Sequence, residues 1–305
     1  MNSIPNPSRK DQVSVSAVIC TRNRSESLSR TLQSLLELDL PDGIAFELIV
    51  VDHASTDDTP AVLERFRAVA PFELRPLSQT KGGLSHARNR GLGAARGDLI
   101  LCTDDDCLVS PDWVRVAIRL LSDDRCKLIG GRVELQDRSH LPLSIKTDLD
   151  QQVLRSEHEL LGFMHGANIA FGREVVDRIG PFDVRLGPGT KLIAAEDTDF
   201  VYRAYIAGIP VRYEPDLLVC HDHRRTDEET YRRFTRGYAF GAGGMAMKHA
   251  LAGRLELARI IYWDLAASFR NRRPGKPLRD VVGQEGNMAA GALRFLLTAS
   301  WKAAR

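Results

Sequence analysis

The sequence lacks the features that mark membrane, secreted and nucleic-acid-binding proteins. No apolar run approaches the ~18 residues that a membrane span requires, and the polar segment Met1–Gln12 resembles a disordered lead-in without the apolar core of a signal peptide. The formal net charge is only +2, so the chain as a whole gives no nucleic-acid signal. The five cysteines are an odd number without CxxC spacing. We interpret them as reduced thiols and expect a cytoplasmic protein.

Two common phosphate-binding motifs are also missing. No Gly-x-Gly-x-x-Gly follows the first apolar run, and no Gly-Lys-Ser/Thr loop occurs in the chain. These absences disfavour ordinary dinucleotide and P-loop chemistry. The 305 residues, with 43% apolar and 27% charged content, are enough for one large α/β domain, alone or with an appendage.

Apolar, strand-like runs alternate with helical patterns from the N-terminus onward. This alternation predicts an α/β protein with a mostly parallel sheet flanked by helices. Because right-handed crossovers bring strand ends to one edge of such a sheet, we expect Thr21–Asn23, Asp52 and Asp104–Asp106 to meet there. Strands are predicted over residues 13–20, 46–51, 72–77 and 99–103, and helices over residues 25–37, 60–69 and 84–95.

Three adjacent carboxylates, Asp104, Asp105 and Asp106, end the fourth predicted strand. They repel one another and resist burial, so the exposed end of a strand is the expected place for them. Oxygen ligands of this kind suit Mg²⁺ or Mn²⁺, which are usually shared with a substrate phosphate. The triplet therefore predicts a metal–phosphate site at the sheet edge, with a solvated acidic turn as the alternative.

The second half of the chain has a less regular pattern. Glu196 and Asp197 open a predicted helix, where acidic side chains complement the helix dipole and need no further role. The basic, amphipathic segments 255–269 and 287–301 predict either contact with a membrane surface or packing on the protein's own core or a partner. Further helices are predicted over residues 113–121, 173–179 and 194–207, and strands over residues 127–135, 163–171, 211–215 and 217–220.

Short motifs along the chain resemble those of family 2 glycosyltransferases, in the family's order. The resemblance covers roughly residues 13–225 and implies a GT-A fold, a nucleotide-sugar donor, a divalent cation and inversion at the anomeric carbon. The motifs are Val15–Asn23, Ile49–Asp57, Ala87–Gly91 and Asp104–Asp106 for the nucleotide-binding half, and Gly166–Asn168, Gly180–Asp183, Glu196–Asp197 and His221–Arg224 for the acceptor half.

The resemblance and the sequence pattern together predict a domain organisation. After the lead-in over residues 1–12, a GT-A domain is expected over residues 13–230. Its nucleotide-binding half spans residues 13–110, and its acceptor half spans residues 111–230. Residues 231–305 are expected to form a C-terminal helical extension.

Nucleotide-binding roles are carried over position by position. Thr21, Arg22 and Asn23 would line the nucleoside pocket, and Asp52 would accept a hydrogen bond from the base. Asp104 would lie near the ribose, while Asp105 contributes charge beside it. The full nucleotide-binding set is Thr21, Arg22, Asn23, Asp52, Gly83, Arg88, Asp104 and Asp105.

Metal and catalytic roles follow from the same matches. Asp106 would bind the cation on the diphosphate, and His221 matches a further metal ligand or diphosphate contact. His223 could substitute for His221, because residues two apart on a strand share a face. Glu196 and Asp197 match the acidic motif that supplies the catalytic base, and we predict that Asp197 is the base.

The sequence departs from the family's pattern in two places. The Gln-x-x-Arg-Trp motif and the spanning helices of the membrane-embedded polysaccharide synthases are missing, so processive synthesis with extrusion is not expected. Lys81-Gly82-Gly83 stands where Asn-x-Gly is commoner. Either a phosphate contact or solvation fits Lys81.

The expected function is transfer of a sugar, with a UDP-sugar favoured, to a saccharide or lipid-linked saccharide in surface polysaccharide synthesis. A sugar-phosphate nucleotidyltransferase is the nearest alternative, but it would carry a Gly-rich loop with Arg and Lys after the first strand. A zinc module at Cys220, His221 and His223 does not match structural zinc spacing. A non-catalytic nucleotide-binding scaffold would make the order of the motifs coincidental.

Overall fold

The computed structural model describes residues 13–259, Tyr262 and residues 287–298. In this part of the chain, nine strands form one sheet in the order β3-β2-β1-β4-β8-β6-β9-β5, with β7 paired to β9. The strands are β1 (Ser14–Thr21), β2 (Ala45–Asp52), β3 (Glu73–Ser78), β4 (Leu99–Asp104), β5 (Cys107–Val109), β6 (Leu128–Leu135), β7 (Gln152–Val153), β8 (Asn168–Gly172) and β9 (Val211–His221). The helices are α1 (Ser25–Leu36), α2 (Thr59–Arg67), α3 (Leu84–Ala94), α4 (Trp113–Leu120), α5 (Arg173–Ile179), α6 (Glu196–Ile206), α7 (Glu228–Leu251) and α8 (Asn287–Thr298).

The first four strands form the parallel sheet that the alternating pattern predicts. β1 lies between β2 and β4, and β2 also pairs with β3, all in parallel. The register places Thr21 beside Asp52 and Cys20 beside Asp104. The predicted convergence of these strand ends at one edge is confirmed.

The second half of the sheet is mixed. β8 runs antiparallel to both β4 and β6, whereas β6 and β9 are parallel. The strand predicted over residues 163–171 was placed too early, because the chain turns before β8 begins at Asn168. The two strands predicted around Pro215 are one continuous strand, β9. A register shift in the β6–β9 pairing coincides with Pro215, where no N–H is available for the ladder.

Helix α3 packs closely on β1 although two glycines lower its helix propensity. A Cβ on Gly91 would lie 2.4 Å from Val18 Cγ1, so a side chain there would push the helix off the sheet. Gly93 has open space around it and no such role. Gly91 thus sets the depth at which α3 presents Arg88 to the site.

Helix α7 lies mostly within the helical extension expected over residues 231–305, but no helix bounds were predicted for its glycine-rich sequence. Its 24 residues begin at Glu228, and the side chain of the preceding residue, Asp227, accepts a hydrogen bond of 2.7 Å from the Thr230 N–H. A Cβ on Gly241 would meet Ala194 at 2.7 Å, and one on Gly243 would meet the Met288 backbone. The glycines therefore allow α7 to touch the loop before α6 on one side and α8 on the other.

The predictions for the C-terminal part have mixed outcomes. The expected boundary at residue 230 falls inside α7. The helix predicted over residues 287–301 is confirmed as far as Thr298, and residues 256–259 are helical, while the rest of the 255–269 prediction lies outside the described residues, as does the lead-in. Among the described residues, we find no helix with the length and apolar character needed to cross a membrane.

Candidate active site

A pocket of about 580 Å³ opens at the sheet edge where β1 and β4 end. Side chains from both halves of the chain and from α7 form its wall. Nine of the predicted site residues line it: Thr21, Arg22, Arg88, Asp104, Asp105, Asp106, Glu196, Asp197 and His221. The sequence-based site is thus largely brought together.

The aspartate triplet forms the connection between β4 and β5. Asp104 ends β4, Asp105 and Asp106 make a tight turn, and β5 then pairs antiparallel with β9. The pairing sets Cys107 opposite His221, which brings His221 beside the turn. The expectation that the carboxylates stay exposed is wrong for two of them, because the Asp105 and Asp106 side chains are 6% and 4% exposed.

Buried Asp105 is stabilised by two donors. The Thr21 hydroxyl donates to Asp105 Oδ2 at 2.7 Å, and Arg24 Nη1 lies 3.4 Å from Asp105 Oδ1. Burial raises the pKa of Asp105 to about 7, and Asp106 adds to this effect while Arg24 opposes it. The Thr21 hydroxyl therefore helps to hold the acidic turn, while the residue also lines the pocket.

Asp106 has cationic or ionisable neighbours on both carboxylate oxygens. Arg24 Nη2 donates to Oδ2 at 2.6 Å, and His221 Nε2 lies 3.2 Å from Oδ1. Burial alone would raise the pKa of Asp106, but the hydrogen bond and charge of His221, together with Arg24, hold it well below its usual range. Arg24 and His221 thus stabilise the negative charge of Asp106 against the effect of its burial.

The environment of Asp106 suits a divalent cation. One ligand atom each from Asp106, Cys107 and His221 lies within 4.8 Å of the others. His221 Nδ1 is buried and has no hydrogen-bond partner. The carboxylate suits Mn²⁺ or Mg²⁺ shared with a phosphate, and the imidazole favours Mn²⁺ of these two. Burial raises the pKa of the Cys107 thiol well above its ordinary value, which disfavours the thiolate as a ligand.

Arg88 connects the nucleotide-binding side to the acceptor side. Its Nη2 lies 3.1 Å from Asp104 Oδ1, and its Nη1 lies 2.9 Å from Glu196 Oε1. Its guanidinium also stacks over the Phe182 ring at 5.4 Å. Burial and the neighbouring Asp197 raise the pKa of Glu196 to about 7, and Arg88 opposes the shift.

Asp197 is oriented by backbone donors. The Gly166 N–H donates to Oδ2 at 2.9 Å, and the Thr198 N–H donates to Oδ1 at 2.7 Å. A Cβ on Gly166 would lie only 3.1 Å from the Asp197 Cβ, so glycine permits this approach. The loop before α6 is strained, because Ile193 and Ala195 adopt φ values of +47° and +73°.

Four predicted site residues are not among those that line the pocket. Asn23 Oδ1 accepts from the Thr56 N–H at 2.7 Å, and Asp52 Oδ1 accepts from the Ser55 N–H at 3.0 Å. Both therefore shape the loop after β2. Gly83, with φ of +104°, caps α3.

His223 is the fourth of these residues. One of its ring nitrogens pairs with the Leu141 carbonyl at 2.9 Å, and the other accepts from the Arg225 N–H at 3.0 Å. In this arrangement it fixes the segment after β9 and has no free nitrogen for a metal.

Several pocket residues were not predicted, and four of them, Arg233, Phe234, Gly237 and Tyr238, come from α7. The Arg225 guanidinium lies 4.2 Å from the Phe234 ring centroid, and the Tyr238 hydroxyl lies 2.7 Å from Ser144 Oγ. The mixture of Arg and aromatic residues with glycine was the available signal. Arg24 was also missed, because it follows the Thr21–Asn23 motif and carries no spacing pattern of its own.

Comparison with known proteins identifies the class. Residues 16–180 match the family described as Glycosyl transferase family 2, and residues 99–272 match Glycosyl transferase family group 2. The first match covers more than half of the chain, so the chain belongs to glycosyl transferase family 2.

Individual relatives agree with this assignment. The glucosyl-dolichyl phosphate glucuronosyltransferase of Haloferax volcanii is 25% identical over 240 residues, covering 74% of this chain and 75% of that protein. A mannosyltransferase of Pyrobaculum calidifontis, solved with GDP-mannose and Mn²⁺, superposes with a TM-score of 0.62 at 21% identity, covering 93% of this chain and 87% of that one. S. aureus TarS with UDP-GlcNAc gives 0.59 at 17% identity, with 93% and 89% covered. The predicted GT-A fold is confirmed.

Proposed function

We propose that this glycosyltransferase moves a sugar from a nucleoside-diphosphate sugar to a hydroxyl acceptor with inversion at the anomeric carbon. The proposal rests on one pocket that contains both a candidate metal site and, apart from it, a carboxylate oriented by backbone N–H groups. Asp106 and His221 form the first, and Asp197 is the second. Arg88 contacts the neighbours of both, Asp104 and Glu196.

The nucleotide side of the reaction is assigned to the β1 and β4 edge. Thr21, Arg22 and Asp104 line the pocket there and would contact the nucleoside. Asp106 and His221 would hold a divalent cation, which offsets the charge of the departing diphosphate as a Lewis acid. Asn23, Asp52 and Gly83 would act indirectly, by shaping the loops around this edge.

The acceptor side is assigned to Asp197. As the acceptor oxygen forms its bond to the anomeric carbon and the bond to the diphosphate breaks, the hydroxyl proton passes to the Asp197 carboxylate. The Gly166 and Thr198 N–H groups orient that carboxylate before the reaction. Glu196 would support it by retaining Arg88 beside the reacting groups.

The substrates are proposed at the level that the relatives support. A UDP-sugar remains the predicted donor, while the two structural neighbours were solved with GDP-mannose and UDP-GlcNAc. A saccharide or lipid-linked saccharide is the proposed acceptor, as in the name of the Haloferax relative. We retain surface polysaccharide synthesis, with peripheral contact at the inner membrane face, as the predicted setting.

A panel of nucleotide sugars tests the proposal. With Mn²⁺ present, we expect one donor to be consumed with release of its nucleoside diphosphate, and chelation to suppress the reaction. NMR of the transferred sugar would report the anomeric configuration, and retention would contradict a single displacement. Pyrophosphate release from a sugar phosphate and a nucleoside triphosphate would instead establish a nucleotidyltransferase.

A further inference from the structure

The Arg24 side chain contacts the acidic turn, and neither the family resemblance nor the proposed mechanism gives Arg24 a role. It precedes the first residue of α1, and its side chain reaches back to the β4–β5 connection. Its Nη2 is 2.6 Å from Asp106 Oδ2, and its Nη1 is 3.4 Å from Asp105 Oδ1. The guanidinium therefore bridges two buried carboxylates.

The other arginine of the acidic cluster is held in place far more firmly. Arg88 is 5% exposed and is fixed between Asp104 and Glu196. The Arg24 side chain is 35% exposed and also lines the pocket. Both arginines border the pocket, but the Arg24 side chain is much the more exposed of the two and is therefore the less constrained.

The two oxygens of Asp106 have different neighbours. Oδ2 carries Arg24, while Oδ1 faces His221 Nε2 at 3.2 Å and Cys107 Sγ at 4.0 Å. A divalent cation bound through Oδ1 and His221 would share one carboxylate with a guanidinium. Two positive charges held by the same carboxylate repel each other strongly inside a protein. Arg24 therefore lowers the affinity of the site for a cation when no diphosphate is bound.

A diphosphate changes this balance. It brings negative oxygens into the pocket, and an arginine fork matches phosphate geometry well. If Arg24 turns toward the diphosphate, Asp106 is released from its cationic partner. The cation and the diphosphate then bind more tightly together than either does alone.

We propose that Arg24 is a positioning residue that couples the two ligands: it neutralises Asp106 in the free enzyme and moves onto the diphosphate of the donor when the metal binds. The inference rests on the proposed metal site at Asp106 and His221. It makes metal binding dependent on the nucleotide, which would keep the site from holding a cation without substrate.

Mn²⁺ binding followed by electron paramagnetic resonance tests the coupling directly, without and with UDP or GDP. For the wild type, we expect whichever of the two nucleoside diphosphates binds to raise the affinity for Mn²⁺ by about tenfold or more. For Arg24→Gln, we expect Mn²⁺ alone to bind about tenfold tighter than to the wild type, the diphosphate to bind about tenfold weaker, and the coupling to be largely lost. Arg24→Lys keeps the charge and should stay nearer the wild type in Mn²⁺ affinity.

Arg67→Gln is the matched control, since it removes one exposed positive charge on α2, where Arg67 pairs with Glu64. It should change neither affinity. Unchanged Mn²⁺ affinity in Arg24→Gln, or weaker binding of both ligands in a variant that unfolds at the wild-type temperature, would overturn the coupling role. If the wild type binds no Mn²⁺ with either nucleotide, the proposed metal site itself fails and this inference falls with it.

Discussion

The Arg88 guanidinium donates to Glu196 Oε1 at 2.9 Å, and this contact joins two residues that are 108 positions apart in the chain. Both side chains are almost fully buried. Since Arg88 also contacts Asp104, one cation serves the nucleotide side and the acceptor side of the pocket. Arg88 therefore contributes both to the stability of the site and to the positions of its functional side chains.

Replacement of Arg88 tests that relationship. Arg88→Met leaves Glu196 buried without its cation, and we expect a loss of about 3–5 kcal/mol in unfolding free energy, measured by urea denaturation. Arg90→Met on the exposed face of the same helix should cost little. Adding Glu196→Gln to the Arg88 variant should recover part of the loss, because the uncompensated charge is removed. Strict additivity of the two changes would contradict a direct interaction.

Asp197→Asn tests the catalytic base. The amide cannot take the proton from the acceptor hydroxyl, so we expect sugar transfer to fall by at least about 10²-fold. Binding of the nucleoside diphosphate, measured by calorimetry, should stay near the wild-type value. Asp177→Asn, on the exposed face of α5, provides a control with the same change in charge. Near-normal transfer by Asp197→Asn would mean that another group is the base.

Gly241→Ala tests the contact between α7 and the loop before α6. The added Cβ would lie 2.7 Å from the Ala194 backbone, so this loop must shift, and Asp197 follows it three residues later. We expect a large drop in kcat, while diphosphate affinity is retained. Gly93→Ala serves as the comparison because its Cβ meets no atom within 4 Å. It should be neutral or stabilise α3 by up to about 1 kcal/mol.

Acid stability should depend on Asp199, which anchors α7 to α6. Its buried carboxylate accepts hydrogen bonds from Arg203 at 2.8 Å, Lys248 at 2.6 Å and His249 at 2.8 Å. Burial opposes its charge, but the hydrogen bond from His249 and the charges of Lys248 and Arg203 lower its pKa to about 2. An ordinary aspartate in the unfolded chain takes up its proton at higher pH than this.

The sign of the effect follows from that difference. A lowered folded-state pKa stabilises the protein above the unfolded value of 3.8, and the contribution is lost as the pH falls toward 2. The advantage of the wild type over Asp199→Asn should thus shrink by about 2 kcal/mol between pH 6 and pH 2, followed by urea denaturation. Asp39→Asn, on the surface, should show no such change. A constant difference across this range would exclude the ion pairs as its source.

Much of the nucleotide-binding half could be predicted from the sequence. The continuous apolar runs of β1, β2 and β4, separated by helical patterns, indicate parallel strands, and parallel strands end at one edge. Thr21, Asp52 and Asp104 were therefore placed together correctly. The roles of Asn23 and Asp52 were less accessible, since a polar residue after a strand can face a ligand or hold its own loop.

The second half was harder because its signals mislead locally. Glycines at positions 241 and 243 lower helix propensity, yet α7 is helical. These glycines allow α7 to pack closely against Ala194 and Met288, and this packing outweighs their low propensity. Pro215 indicated a break in a strand, yet the sheet accommodates it at a register shift. In both cases tertiary contacts outweigh the local preference.

The sequence by itself determined the α/β class, the strand ends that carry the carboxylates, and the membership of glycosyl transferase family 2. Apolar period and turn chemistry act over a few neighbouring residues, so they can be read along the chain. Only the tertiary structure decided which carboxylate receives which cation. The pairing of β5 with β9 brings His221 to Asp106, and α1 and α3 bring Arg24 and Arg88 to the same turn. These contacts join residues far apart in sequence, and topology and burial, rather than local pattern, control them.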